Sequence, residues 1–213
     1  MGRFPDLQSI ILSLPGLLIA LSFHEYAHAR AATALGDDTP RLMGRLTIDP
    51  LAHLDPLGTL MMLLGGFGWA KPVQFNPVHL RGNMRRSSML VALAGPAMNL
   101  LLAFVIYTGR GLALRFLPNG LSEALDGIIT EAAWLNVALA VFNLIPIPPL
   151  DGSWVLQAIV PWQARRGLDN LQRVGPGLLI LLVISGAISF VLMPAVIAVN
   201  SVLIWVSAVI TGL

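Results

Sequence analysis

The sequence predicts an all-α polytopic membrane protein with about five transmembrane helices and a re-entrant or short β segment between the first two. Three observations lead there. The 213 residues are 56% hydrophobic and 11% charged, with a mean hydropathy of +0.77, where soluble domains carry roughly 25% charged residues. Several apolar stretches approach the roughly 20 residues needed to cross hydrocarbon. Between the first two, the pattern breaks at Pro40, Gly44, Pro50, Pro56, Gly58, Gly65, Gly66, Gly68, Pro72 and Pro77, too often for a continuous span. The length suits about five spans with short loops and no further soluble domain. Residues 1–213 are therefore expected to form a single membrane-embedded domain, with a core over 7–160 and a C-terminal helical hairpin over 175–211.

The first helix is expected from about Asp6 to Leu35, with Gly36 and Asp37 as its stop signal and Pro15 placed to bend it. Leu7 to Leu21 carries no charge. This run leads directly into a polar motif without a cleavage pattern, so it reads as a retained span rather than a signal peptide. The motif is Phe23-His24-Glu25-Tyr26-Ala27-His28, an HExxH pattern expected by chance about 0.001 times at these residue frequencies. On a helix, His24 and His28 lie one turn apart on one face, where both imidazoles can reach a single zinc ion, and Glu25 projects beside them as a candidate general base. A plainer alternative is two packed or surface histidines. It gives no reason for two His and a Glu at this spacing in apolar sequence, where ionisable groups are costly.

From Asp38 to Asn83 the chain turns irregular. Leu57 to Phe67 is apolar but about half a span long, which suits a re-entrant or interfacial segment; Leu42 to Ile48 and Lys71 to Phe75 suit short strands. Gly65, Gly66 and Gly68 lack the GK[ST] of a phosphate loop and instead suit an edge to which a substrate adds as a strand. His53, flanked by Asp49 and Asp55, has several readings: facing the metal, aiding proton transfer, binding substrate, or, slightly favoured, an ordinary loop histidine at the interface. His79 reads as interfacial, and Trp69 with Lys71 as an interfacial anchor.

A second span is expected from about Ser88 to Tyr107. Gly95 and Asn99 form a GxxxN spacing that favours close helix packing, with orientation of a site group as a further role for Asn99. The connection from Gly109 to Thr130 is polar, with a short interfacial helix over Leu121 to Ile129. A third span starts near Ala132 and breaks at Ile145-Pro146-Ile147-Pro148-Pro149. A helical piece follows Asp151-Gly152 and ends at Pro161. The last spans are expected over Gly175 to Phe190 and Pro194 to Ile210, with Pro194 marking a tight hairpin.

HExxH supplies two ligands, whereas a catalytic zinc takes three and keeps a position for water. There is no cysteine, so the third must be His, Asp or Glu. Asp151 emerges where a helix is broken and irregular backbone must line a site. An Asp capping the following helix accounts for it equally well. The net charge of +2 gives no basis for nucleic-acid binding. Lys and Arg instead divide ten to three between alternate loops, with Arg30, Arg41, Arg45, Lys71, Arg81, Arg85, Arg86, Arg165, Arg166 and Arg173 against Arg3, Arg110 and Arg115. That bias places the N-terminus outside, the C-terminus in the cytoplasm and the zinc motif in the inner half of a multi-pass protein of the cell membrane.

HEYAH, the stretch AGPAMN from Ala94 to Asn99, and FNLIPIPPLDG from Phe142 to Gly152 together resemble the site-2 protease family of intramembrane zinc metalloproteases. GRLTIDPLAHLDPLGT and FGWAKPVQFNP extend the similarity to its compact prokaryotic branch, without PDZ or CBS domains, over most of Gly36 to Gly152. The resemblance implies zinc ligation by His24, His28 and Asp151, one ion per chain. It further implies activation of water by Glu25, and positioning of substrate or the oxyanion by Asn143. The expected activity is hydrolysis of peptide bonds in membrane-embedded or membrane-adjacent protein substrates. A metal transporter is the competing class, but it needs alternating gates and often shows repeated halves, which are not found. A catalytically silent pseudoprotease that binds membrane partners is another, against which the intact motifs argue.

Overall fold

The computed structural model describes residues 7–56, 58, 71–117 and 120–213, with the side chains of the first helix from Ser13 onward. Helix α1 runs Leu7–Ala34 and stops at Gly36, whose φ of +105° suits a residue without Cβ. Two one-turn helices follow, α2 at Thr39–Leu42 and α3 at Pro50–His53, each with proline in its first turn, where the missing N–H is no loss. A 3-10 turn at Pro77–His79 leads to the long α4, Met84–Phe116, whose Asn83 cap accepts from the backbone N–H groups of Arg85 and Arg86. Then come α5 (Glu123–Asn143), the short α6 (Gly152–Ile159), α7 (Arg165–Ile184) and α8 (Ala187–Thr211).

Helix α4 is the hub, packing against α1, α5, α6 and α8. Small residues let the helices close up. A Cβ on Gly16 would lie 2.8 Å from Cα and Cβ of Ala132, joining α1 to α5, and one on Gly111 would lie 2.7 Å from Thr211 Oγ1 on α8. Among apolar neighbours, packing and interhelical hydrogen bonds hold such contacts. Between α4 and α8 the Tyr107 hydroxyl donates to Asn200 Oδ1 at 2.7 Å, and the Thr108 and Ser207 hydroxyls lie 3.2 Å apart. Ala103, Val137 and Val196, all fully buried, join α4, α5 and α8.

The expectation of about five transmembrane helices and a β segment is corrected in two respects. Among the described residues four helices are long and apolar enough to cross a membrane: Met84–Phe116, Glu123–Asn143, Arg166–Ile184 and Ala187–Thr211. Helix α1 is not among those four. The described residues also contain no strand. The stretch expected as a strand over Leu42 to Ile48 is the end of α2 followed by turns and bends, and 71–76 is irregular. Its N–H groups bond to α1 and its neighbouring loops instead of to another strand: Lys71 to His53 O at 2.8 Å, Val73 to Glu25 Oε2 at 2.7 Å, and Asn76 to Asp37 Oδ2 at 2.6 Å. The expected re-entrant stretch from Leu57 to Phe67, including the Gly65, Gly66 and Gly68 edge, lies outside the described residues except for Gly58, as does Trp69.

Helix boundaries shifted as well. The short interfacial helix expected over Leu121 to Ile129 is the first part of a continuous α5 that begins at a Ser122 cap. The C-terminal hairpin turns at Ser185-Gly186, where Gly186 has φ +72°, and Pro194 lies inside α8.

Candidate metal centre

Helix α1 carries His24 and His28 on one face, their rings edge-to-face with centroids 4.6 Å apart. That face points at α4, and the approach depends on Gly95. A Cβ there would fall 2.6 Å from His28 Cε1 and 2.7 Å from His24 Cε1, so no larger residue fits beneath the two rings. From the opposite side comes Asp151. Helix α5 ends at Asn143, residues 144–151 turn tightly, and α6 starts at Gly152. Glycine at 152 is dictated by space, since a Cβ would collide with the carbonyls of Leu144 and Ile145. Asp151 stands at the N-cap position of α6 but makes no capping hydrogen bond; its carboxylate turns to the imidazoles.

Asp151 Oδ2 lies 3.2 Å from His24 Nε2 and 3.3 Å from His28 Nε2, and the two Nε2 atoms are 3.0 Å apart. Ligands of a tetrahedral zinc with bonds of about 2.0–2.1 Å sit about 3.3 Å from one another. The spacing fits.

Proton placement supports the same reading. Asn99 commits its amide N–H groups to Ala20 O (3.0 Å) and Asn136 Oδ1 (2.9 Å), so its oxygen faces His24 Nδ1 at 2.5 Å, which must donate. His28 Nδ1 donates to Val91 O at 2.8 Å. With Nδ1 donating in each, the neutral form of either ring presents a bare Nε2 lone pair inward. Asp151 Oδ2 is buried and has no hydrogen-bond partner. Three acceptors crowd one point, and a cation satisfies them all. Together His24, His28 and Asp151 form a cluster capable of coordinating a metal ion.

Glu25, 8% exposed, lies beside the cluster but outside it, with Oε2 held by the Val73 N–H. Asn99 is fully buried against His24, so of its two roles the orienting contact is made. Asn143 is placed differently: its amide donates to Leu139 O at 3.0 Å, one turn back on its own helix. His53 is no surface histidine. It is 1% exposed, with Nε2 against Thr47 O at 2.8 Å and Nδ1 without a partner, and it is not in the metal cluster. His79 is exposed, 3.3 Å from Asp37 Oδ1. Three groups escaped the sequence reading: Asn136, which braces Asn99 and itself donates to Ala132 O at 2.9 Å, the Val91 carbonyl and the Val73 N–H. A lone Asn inside an apolar helix signals the first; backbone groups leave no trace in side-chain pattern.

A helical membrane protein that gathers two imidazoles and a carboxylate around one point, beside a buried glutamate, is a membrane-embedded metallohydrolase. The model of peptidase family M50 matches residues 13–117 and 119–185. YwhC of Bacillus subtilis, named "Putative zinc metalloprotease", is 37% identical over 184 residues, covering 84% of this chain and 82% of that protein. "Putative zinc metalloprotease Rip2" of Mycolicibacterium smegmatis is 32% identical over 84% of this chain and 69% of its own. A methanogen relative, "Putative zinc metalloprotease MJ0611" of Methanocaldococcus jannaschii, is 45% identical over 67 residues, 32% of each chain. No solved structure matches. The chain belongs to peptidase family M50, the zinc metalloproteases of site-2 protease type.

Proposed function

We propose that this intramembrane zinc endopeptidase holds one zinc ion per chain through His24, His28 and Asp151 and cleaves peptide bonds of membrane-embedded protein substrates with Glu25 as general base. The observation that carries the proposal is the meeting of two imidazole nitrogens and a carboxylate oxygen at tetrahedral spacing in a buried site. Bound there, zinc would supply Lewis acidity, polarising the scissile carbonyl and making water a far stronger acid. Glu25 removes a proton from the attacking water and delivers it to the leaving nitrogen. The Val73 N–H fixes one carboxylate oxygen and leaves the other for that transfer. Asn143 steadies the developing oxyanion with its amide, a role whose loss raises the barrier by about 3 kcal/mol.

The test is zinc content and fragment production for a panel of single-span substrates. Glu25→Gln should keep its zinc and lose cleavage by about 10²-fold or more. Equal fragment yields from zinc-loaded Glu25→Gln and the parent protein would sink the mechanism. A transporter would move metal and yield no peptide product; a pseudoprotease would bind substrate in both forms and cut in neither. Asn143→Ala should lower kcat about 10²-fold with zinc retained, whereas parallel loss of zinc would make Asn143 a support for the 144–151 turn.

A further inference from the structure

A cavity of about 320 Å³ lies between α4, α6 and α7 and takes no part in the chemistry above. Arg85 and Ser88 line it from α4, Trp154 and Gln157 from α6, and Asp169 from α7. Two of these walls stand one helical turn from the metal centre. Trp154 follows Asp151 by three residues, and Ser88 precedes by three the Val91 whose carbonyl holds the His28 ring. Three residues of helix rise about 4.5 Å. Phe75, two residues beyond the Val73 that bonds Glu25, packs on Trp154 with ring centroids 5.2 Å apart. An extended peptide advances about 3.3 Å per residue, so a substrate with its scissile bond at the metal centre reaches this cavity with a side chain within about two residues of the cut.

The inner walls offer donors with little to bond. Ser88 is 3% exposed and its Oγ has no hydrogen-bond partner. Among the described residues the half-buried Arg85 makes one side-chain hydrogen bond, NH1 to Val160 O at 3.5 Å, at the limit of such a bond. Gln157, half-buried, adds an amide. A guanidinium fork, a hydroxyl and an amide over an indole suit a planar carboxylate on a short apolar stem. Asp169 stands at the exposed rim and pairs with no cation among the described residues, where it opposes an anion and tempers its binding.

We propose that this cavity is a substrate subsite for an aspartate or glutamate within two residues of the scissile bond, with Arg85 its specificity-determining residue. The proposal rests on the peptidase reading above. Its test is cleavage of a peptide mixture randomised at every position, by zinc-loaded protein in detergent, with fragments sequenced by mass spectrometry. The parent protein should prefer Asp or Glu over Lys by about tenfold at one position within two residues of the cut. Arg85→Gln should flatten that preference, Arg85→Glu should turn it toward Lys and Arg at the same position, and Asp169→Asn should sharpen it. Zinc content and the thermal transition identify any variant that fails to fold, and Ser88→Ala, a smaller change, should weaken the preference without reversing it. A parent profile without acidic preference, or one unchanged in folded Arg85→Gln and Ser88→Ala, overturns the subsite alone. If no form yields fragments beyond those of Glu25→Gln, the peptidase reading falls and the subsite with it.

Discussion

Asn99 satisfies three partners at once: the His24 ring, the Ala20 carbonyl and the Asn136 amide. Its oxygen accepts from His24 Nδ1, and in the neutral ring that leaves Nε2 bare toward His28 and Asp151. Asn99→Ala should therefore lower zinc affinity about 10- to 100-fold in competition with a chromophoric chelator, and Asn99→Asp, which keeps the acceptor, should lower it less. Equal affinity in Asn99→Ala and the parent protein would reduce the contact to packing. At this scale the sequence is most readable where covalent spacing dictates geometry. Four residues on a helix bring His24 and His28 together whatever surrounds them. Asp151 is different, because capping and ligation look identical in one dimension, and only the absence of a capping hydrogen bond separates them. Burial of His53 could not be read at all, since it depends on how its loop closes against α1.

The irregular stretch 71–76 works as an element without being a strand or a helix. It is tied down at three N–H groups, and two of the acceptors are carboxylates, Glu25 and Asp37. In sequence, Lys71 to Phe75 suits a short strand, but these partners come from α1 and loops distant in sequence. Asp37 is fully buried. Burial alone would raise its carboxyl, yet hydrogen bonds from the Thr39 hydroxyl, the Asn76 N–H and the Thr39 N–H outweigh it and hold the group below its ordinary value of 3.8. A depressed folded pKa means that the unfolded chain binds the proton first, so this stabilisation is present above pH 3.8 and is lost as pH falls through the lower folded value. Thermal unfolding followed from about pH 6 down to about pH 3 should show a decline that is shallower in Asp37→Asn, which is also less stable at neutral pH. Parallel profiles in the two proteins would contradict the assignment.

Across the whole molecule, the hub position of α4 means that both the metal centre and the α8 contacts are fixed to one long helix. The ends of its neighbours carry the charge asymmetry. Arg81 precedes α4, Arg85 and Arg86 lie in its first turn, and Arg166 and Arg173 lie in the first half of α7, whereas Arg110 is bound bidentately to Asp126 at 2.6 and 2.9 Å near the opposite turn. We propose that the end of α4 at Met84 and the loop before α7 face the cytoplasm and that the connection before α5 faces outward. The chain has no cysteine, so single substitutions report cleanly. Impermeant thiol reagents added to intact cells should label Leu121→Cys and spare Gln163→Cys, and the reverse pattern would invert the orientation. Helix content and the broken-helix site were legible from hydropathy and proline placement. The lack of a strand among the described residues was not, because the N–H groups of 71–76 find their partners on α1 and on loops distant in sequence.

The donor groups at positions 24, 28 and 151 are separated by more than half of the chain, and the turn that delivers the last of them is closed by the contact of Gly152 with Leu144 and Ile145. During synthesis the first two emerge long before the third. On a ribosome-bound chain the histidine pair thus stands without its carboxylate until α4, α5 and the start of α6 have been made. The order of parts along the polypeptide leaves the cluster of His24, His28 and Asp151 to be completed late in synthesis.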